Sequence, residues 1–212
     1  MSMDFINQTF RKIIYIIMGV SLFSLANSSI GKDDEHVDHS MHRAMMNKTS
    51  FIVKEENYSV PNLLLLDRNG VEQNLKSLIN TELPIALNFI FTTCTTICPV
   101  MTATFSQTQR KLGKDSERIQ FISITIDPEY DRPEVLKEYA DNFHSNSNWK
   151  FLTGSGTDIF KVTKSFKAYS GSKMNHRPVT YLKDPQKPYW FRIEGLVNGT
   201  DLSNEIRTRL LY

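Results

Sequence analysis

The most reactive side chains in this sequence are two thiols, Cys94 and Cys98, set four positions apart in FTTCTTICP (residues 91–99), and the chain has no other cysteine. A pair this close can form a disulfide or offer two thiolates to one soft metal ion. If the segment is helical, four residues turn through about 400°, so both sulfurs share one face, about 40° apart. Two buried cysteines packed as small apolar groups are the plain alternative. Two thiolates leave Cu(I) or Cu(II) short of at least one donor. His176, in NHRP (residues 175–178) just ahead of an apolar strand, is the candidate third ligand. A second group of soft donors lies in HVDHSMHRAMM: His36, His39 and His42 with Met41, Met45 and Met46. Its composition suits accessory copper capture, and suits equally a solvated tether.

The cysteines need a rigid mount. Residues 85–91 (IALNFIF) are almost continuously apolar, as in a central strand buried on both faces. Residues 99–112 read as the helix that follows, with Pro99 in its first turn. The pair therefore sits where a strand hands over to a helix, a junction at which sheets of this kind bind ligands and where a helix N-terminus favours a thiolate. Further strands are expected over residues 58–66, 119–126, 149–152, 179–182 and 189–193. The turn Asp67-Arg68-Asn69-Gly70 carries the Asn-Gly hairpin signal. A short helical turn is expected near residues 74–80. Longer helices are expected over residues 131–143, opened by Asp131 with Glu134 three later in capping-box order, and over 157–169 and 201–211. His144 falls at a helix end, where it complements the dipole. This alternation predicts a mixed α/β sheet covered on both faces, with an N-terminal β-hairpin extension.

The chain of 212 residues has a net charge of +2, and is 40% hydrophobic, 23% charged and 11% aromatic. Such a composition excludes an intrinsically disordered chain and a disulfide-dense miniprotein, and leaves no basic footprint for nucleic acid. Arg11 and Lys12 precede an apolar run over residues 13–26 that ends in small residues. That is the pattern of a signal peptide, shorter than the ~20 residues needed to span hydrocarbon. The expected organisation is a signal peptide or short anchor over residues 1–26, a polar linker over 27–54 and one domain over 55–212. The expected location is the periplasm, with membrane contact through the N-terminal segment alone. Neither cysteine lies near that segment to take a lipid.

Three ordered stretches carry a resemblance to a known family. NFIFTTCTTICPVM (residues 88–101) resembles the cysteine motif of the Sco/SenC family. SITIDPEYDRP (residues 123–133) is similar to its second signature, and His176 ahead of Tyr181-Leu182 matches the third. The match runs from about residue 60 to the C-terminus. It implies a thioredoxin-like fold, a copper site formed by Cys94, Cys98 and His176, and an acidic residue near it at Asp127, which would orient the site or simply end a strand before Pro128. It implies delivery of copper to, or reduction of the cysteines in, the dinuclear copper site of cytochrome c oxidase subunit II or a related copper enzyme, in exchange with other copper carriers.

The expected function is therefore a copper metallochaperone with linked thiol redox chemistry. The alternatives are a thiol–disulfide reductase with copper incidental and a thiol peroxidase. Pro178, at the position where disulfide oxidoreductases of this fold place a cis-proline, favours the reductase. The three residues between the cysteines, where redox motifs usually have two, count against it. The peroxidase reading lacks an isolated peroxidatic cysteine with a distant resolving partner.

Overall fold

The computed structural model describes residues 51–212. The apolar N-terminal run, His36, His39, His42, Met41, Met45 and Met46 lie outside the described residues. The strands are β1 (Ile52–Glu56), β2 (Leu64–Asp67), β3 (Glu72–Asn74), β4 (Ile85–Ile90), β5 (Gln120–Thr125), β6 (Trp149–Thr153), β7 (Val179–Lys183) and β8 (Trp190–Glu194). The α-helices are α1 (Leu75–Ile79), α2 (Ile97–Leu112), α3 (Pro133–Asn142), α4 (Gly156–Ser165) and α5 (Gly199–Leu210). All strands join one sheet in the order β1-β8-β7-β4-β5-β6-β2-β3. β4 runs parallel to β5 and antiparallel to β7, so the sheet is mixed.

Successive side chains of β4 alternate between two cores. Ile85, Leu87 and Phe89 pack with Ile159 and Val162 of α4, while Ala86 and Ile90 pack with Phe105 of α2 and Ile206 of α5. Helices cover both faces, which is why the strand reads as an apolar run rather than as an alternating one. The one polar interruption, Asn88, is fully buried and accepts a hydrogen bond from Ser123 on β5, which in turn accepts from the indole N–H of Trp149. α2 and α5 meet closely: a Cβ on Gly199 would stand 2.6 Å from the Cβ of Gln107.

The N-terminal hairpin forms around Asn69-Gly70 as expected, with Gly70 at φ +74° and Asp67 accepting from the amides of Asn69 and Val71. Its first strand starts at Leu64, later than the apolar pattern suggested, and docks on β6. The chain enters the sheet earlier still. β1 straddles the expected end of the polar linker at residue 54: IVKEE is an edge strand paired with β8 along one side, and three of its five residues are exposed. α4 ends at Ser165 rather than near residue 169: Lys167 turns to φ +52°, and the amides of Ala168 and Tyr169 both fold back to the Thr163 carbonyl. α3 begins at Pro133 with Arg132 as N-cap and no side-chain cap. The Asp131–Glu134 capping box is thus not made, and Asp131 is turned into the interior.

α5 is capped by Asn198, whose side-chain oxygen accepts from the amides of Thr200 and Asp201. Asn198→Ala leaves those donors to water and is expected to lower stability by about 1 kcal/mol. A thermal melt of the variant coincident with wild type would contradict this. Among the described residues no helix is long and apolar enough to cross a membrane.

Candidate metal and thiol site

β4 ends at Ile90, and α2 does not start until Ile97. Cys94 lies in the turn between them, its amide donating to the Phe91 carbonyl at 3.2 Å, whereas Cys98 is already inside the first turn of α2. The sulfurs therefore do not share a helix face, as the spacing had suggested. Instead the open N-terminus of α2 points at Cys94. Both thiols are free; Cys98 is fully buried and Cys94 is 9% exposed.

This placement splits their acidities. Burial alone would raise the Cys94 thiol, but hydrogen bonds from the Cys98 backbone, the Thr96 hydroxyl and backbone, and the Cys98 thiol outweigh it, lowering the pKa to about 7. Burial pushes Cys98 up to about 12, the nearby charges of Cys94 and Asp131 adding to it against a bond from the Phe91 backbone.

His176 follows a 3-10 turn, Lys173–Asn175, and lines the same cavity as Cys94. That cavity, about 290 Å³, is also walled by Phe91, Thr96, Lys173 and Met174. The His176 Nε2 lies 3.0 Å from the Phe89 carbonyl of β4. A carbonyl only accepts, so Nε2 carries the proton and Nδ1 keeps its lone pair. Nδ1 is buried and has no hydrogen-bond partner among the described residues. Burial lowers the His176 pKa against the pull of the Phe89 bond, which keeps the ring neutral at pH 7. A neutral imidazole and a low-pKa thiol that line one cavity are donor types suited to a soft ion. Among the described residues, no three His, Cys, Asp or Glu side chains already stand at metal-binding separation. Cys94 and His176 thus both line the cavity, whereas Cys98, fully buried, does not.

Asp127 does not touch either sulfur or the imidazole. Its carboxylate pairs with Lys173 at 2.5 Å, and Lys173 also stands over the Phe91 ring, 5.8 Å from its centroid. Asp127 thus reaches the cavity through the turn that precedes His176. The acid that reading the sequence missed as part of the site is Asp131. Its buried carboxylate accepts from the Thr92 amide, the Thr92 hydroxyl and the Thr125 hydroxyl, clamping the segment that leads to Cys94 onto the end of β5. Burial raises its pKa, and these hydrogen bonds pull it back. No periodicity marks such a residue; in sequence it looked like a cap.

The SCO1/SenC family model matches residues 61–211. The chain belongs to the SCO1/SenC family. A curated SCO1/SenC relative, the SCO1 protein homolog of Bacillus subtilis, is 43% identical over 115 residues, covering 53% of this chain and 58% of its own. The chain spans less than two thirds of the length of the curated relatives it matches first, 58% and 64%. Two solved SCO1/SenC structures share the fold. BsSco, described as a member of the Sco family of cytochrome c oxidase assembly proteins with a disulfide switch, superposes with TM-score 0.61 and 32% identity, covering 74% of this chain and 96% of that one. ScoI of Bradyrhizobium japonicum with copper bound superposes with TM-score 0.60 and 25% identity, covering 73% and 100%. The thioredoxin-like architecture expected from the sequence is thus that of solved SCO1/SenC proteins.

Proposed function

We propose that this chain carries copper as cargo, held by Cys94, Cys98 and His176, for assembly of a copper enzyme of the cytochrome c oxidase kind. The observation that carries the reading is that a low-pKa thiol, Cys94, and a neutral imidazole, His176, line one cavity. Family membership and the copper-bound ScoI structure support it. Cys94, half ionised at neutral pH, supplies the first sulfur. Cys98 supplies the second, losing its proton only as the ion arrives, so uptake releases protons. The neutral imidazole adds nitrogen without any proton change. Asp127 acts through Lys173, keeping the turn before His176 over the cavity. Oxidation to the Cys94–Cys98 disulfide removes both sulfur donors, so copper loading and the oxidised state exclude each other. Export to the periplasm, with the N-terminal segment as signal or tether, places the carrier where such a client is assembled. His36, His39, His42, Met41, Met45 and Met46 would add a weak capture site on the linker.

The test is anaerobic Cu(I) titration of the reduced protein, followed by absorbance in the thiolate-to-copper charge-transfer region. One equivalent is expected to bind in wild type and none at this site in Cys94→Ser/Cys98→Ser. His176→Ala is expected to keep the thiolate band and bind at least about tenfold more weakly, the size of one lost donor at ~1.4 kcal/mol. Stoichiometric binding unchanged by the double serine variant would end the reading.

The split acidity favours a second reading, thiol–disulfide reduction of a client. The Cys94 thiolate attacks a client disulfide, forming a mixed disulfide and releasing one client thiolate. Cys98 then loses its proton and attacks the Cys94 sulfur, which releases the second client thiol and leaves the Cys94–Cys98 disulfide. Two electrons pass from the pair to the client. Negligible exchange with an oxidised dithiol peptide would remove this reading.

A further inference from the structure

Met174 lines the cavity shared by Cys94 and His176, and its side chain is 78% exposed, more than any other large apolar residue among those described. It belongs to neither core cluster. A single exposed apolar side chain is ordinary on a protein surface, but the position of this one is not. The turn that carries it is held by hydrogen bonds while its side chain stands in solvent. The Met174 amide donates to the Ser172 hydroxyl at 3.3 Å, the Asn175 amide to the Ser172 carbonyl at 3.0 Å, and the His176 amide to the Lys173 carbonyl at 3.2 Å. Lys173 is tied to Asp127 across the adjoining cleft. The result is a hydrogen-bonded turn presenting an exposed thioether on a cavity that Cys94 and His176 also line.

A thioether is a soft, neutral, polarizable donor that suits Cu(I), and it binds or leaves without taking or giving a proton. We propose that Met174 is a further sulfur donor of this site, meeting Cu(I) at the cavity mouth and remaining on its solvent side while Cys94, Cys98 and His176 hold it from within. The inference rests on the copper reading above and assigns the exchangeable position in it. Entry and exit are then ligand exchanges at constant oxidation state: a bond from the thioether forms as a bond to the incoming carrier breaks, and the reverse occurs on delivery.

The experiment uses the reduced full-length chain labelled with methyl-13C methionine, to which Cu(I) is added anaerobically, with the Met174 methyl assigned by its absence in Met174→Leu. Leucine keeps the exposed apolar volume and cannot ligate. At one equivalent the Met174 methyl resonance is expected to shift. In competition with a chromophoric Cu(I) chelator, Met174→Leu is expected to bind about tenfold more weakly, or ~1.4 kcal/mol. One equivalent bound with the Met174 methyl unmoved, or a leucine variant of unchanged affinity, would overturn the assignment and leave the carrier intact. No uptake by reduced wild type would remove the carrier, and this donor with it.

Discussion

Iodoacetamide added to the reduced protein at pH 7 is expected to modify Cys94 at least about a hundredfold faster than Cys98. With a pKa of about 7, Cys94 is roughly half thiolate at that pH, whereas Cys98, at about 12, is thiolate in about one molecule in 10⁵. Low-pKa thiolates are weaker nucleophiles, with a Brønsted slope of about 0.4–0.5, which returns about 2–2.5 decades of that nearly 10⁵-fold difference. A few hundredfold, about 10²–10³, remains before access is considered, and Cys98 is fully buried. The pH profile has a definite sign. Below pH 7 the Cys94 rate falls tenfold per unit as the thiolate is protonated. Above about pH 8 it is level, where an ordinary thiol would still be climbing. Peptide mass spectrometry of quenched samples reads both sites, and in urea the two should react alike. Equal labelling of the native protein, or a Cys94 rate still rising tenfold between pH 8 and 9, would contradict the geometry at the N-terminus of α2.

Asp131→Ala is expected to lower stability by about 2–4 kcal/mol, because it strands the Thr92 amide and frees two hydroxyls that now converge on one buried carboxylate. The figure stays modest because the charge is itself costly to bury, as its raised pKa records. Asp131→Asn, which still offers an oxygen to the Thr92 amide, is expected to lose less than half as much. A merely structural residue would change only the denaturation midpoint. This one should also move chemistry: with Thr92 released, the turn that aims the helix N-terminus at Cys94 loosens, and the Cys94 alkylation midpoint shifts above 7 in the alanine variant and less in the asparagine variant. A midpoint fixed at 7 in both would limit Asp131 to folding.

The parts legible in the sequence were those whose signal is local. β4 and β5 stand out because both faces are covered, so their apolar runs have no competing reading. The hairpin stands out because Asn69-Gly70 meets a backbone demand that few other pairs satisfy. The thiol pair was legible as chemistry, but its geometry was not. Whether Cys94 lies in the helix or ahead of it depends on where the turn after β4 closes, and a buried carboxylate on Asp131, 39 positions beyond the Thr92 it holds, takes part in that decision. The same residue was misread because Asp and Glu three apart satisfy a cap pattern, and only tertiary packing shows that Asp131 faces inward. β1 was missed for the opposite reason, since an edge strand exposed on one side can be largely charged. The lone pair of His176 depends on a carbonyl 87 positions earlier in the chain, which no spacing rule anticipates.

That carbonyl belongs to Phe89, on the strand that also feeds the turn bearing Cys94. Thiol and imidazole are therefore referenced to the same strand, one through the chain and the other through a single hydrogen bond. β4 has a bonded neighbour on each side, and its amides are expected to be among the slowest of the domain to exchange with deuterium. Breathing of the sheet margins or fraying of the outer helices therefore leaves both donors attached to one strand, and only the turn and the loop that carry them have to move to close on an ion.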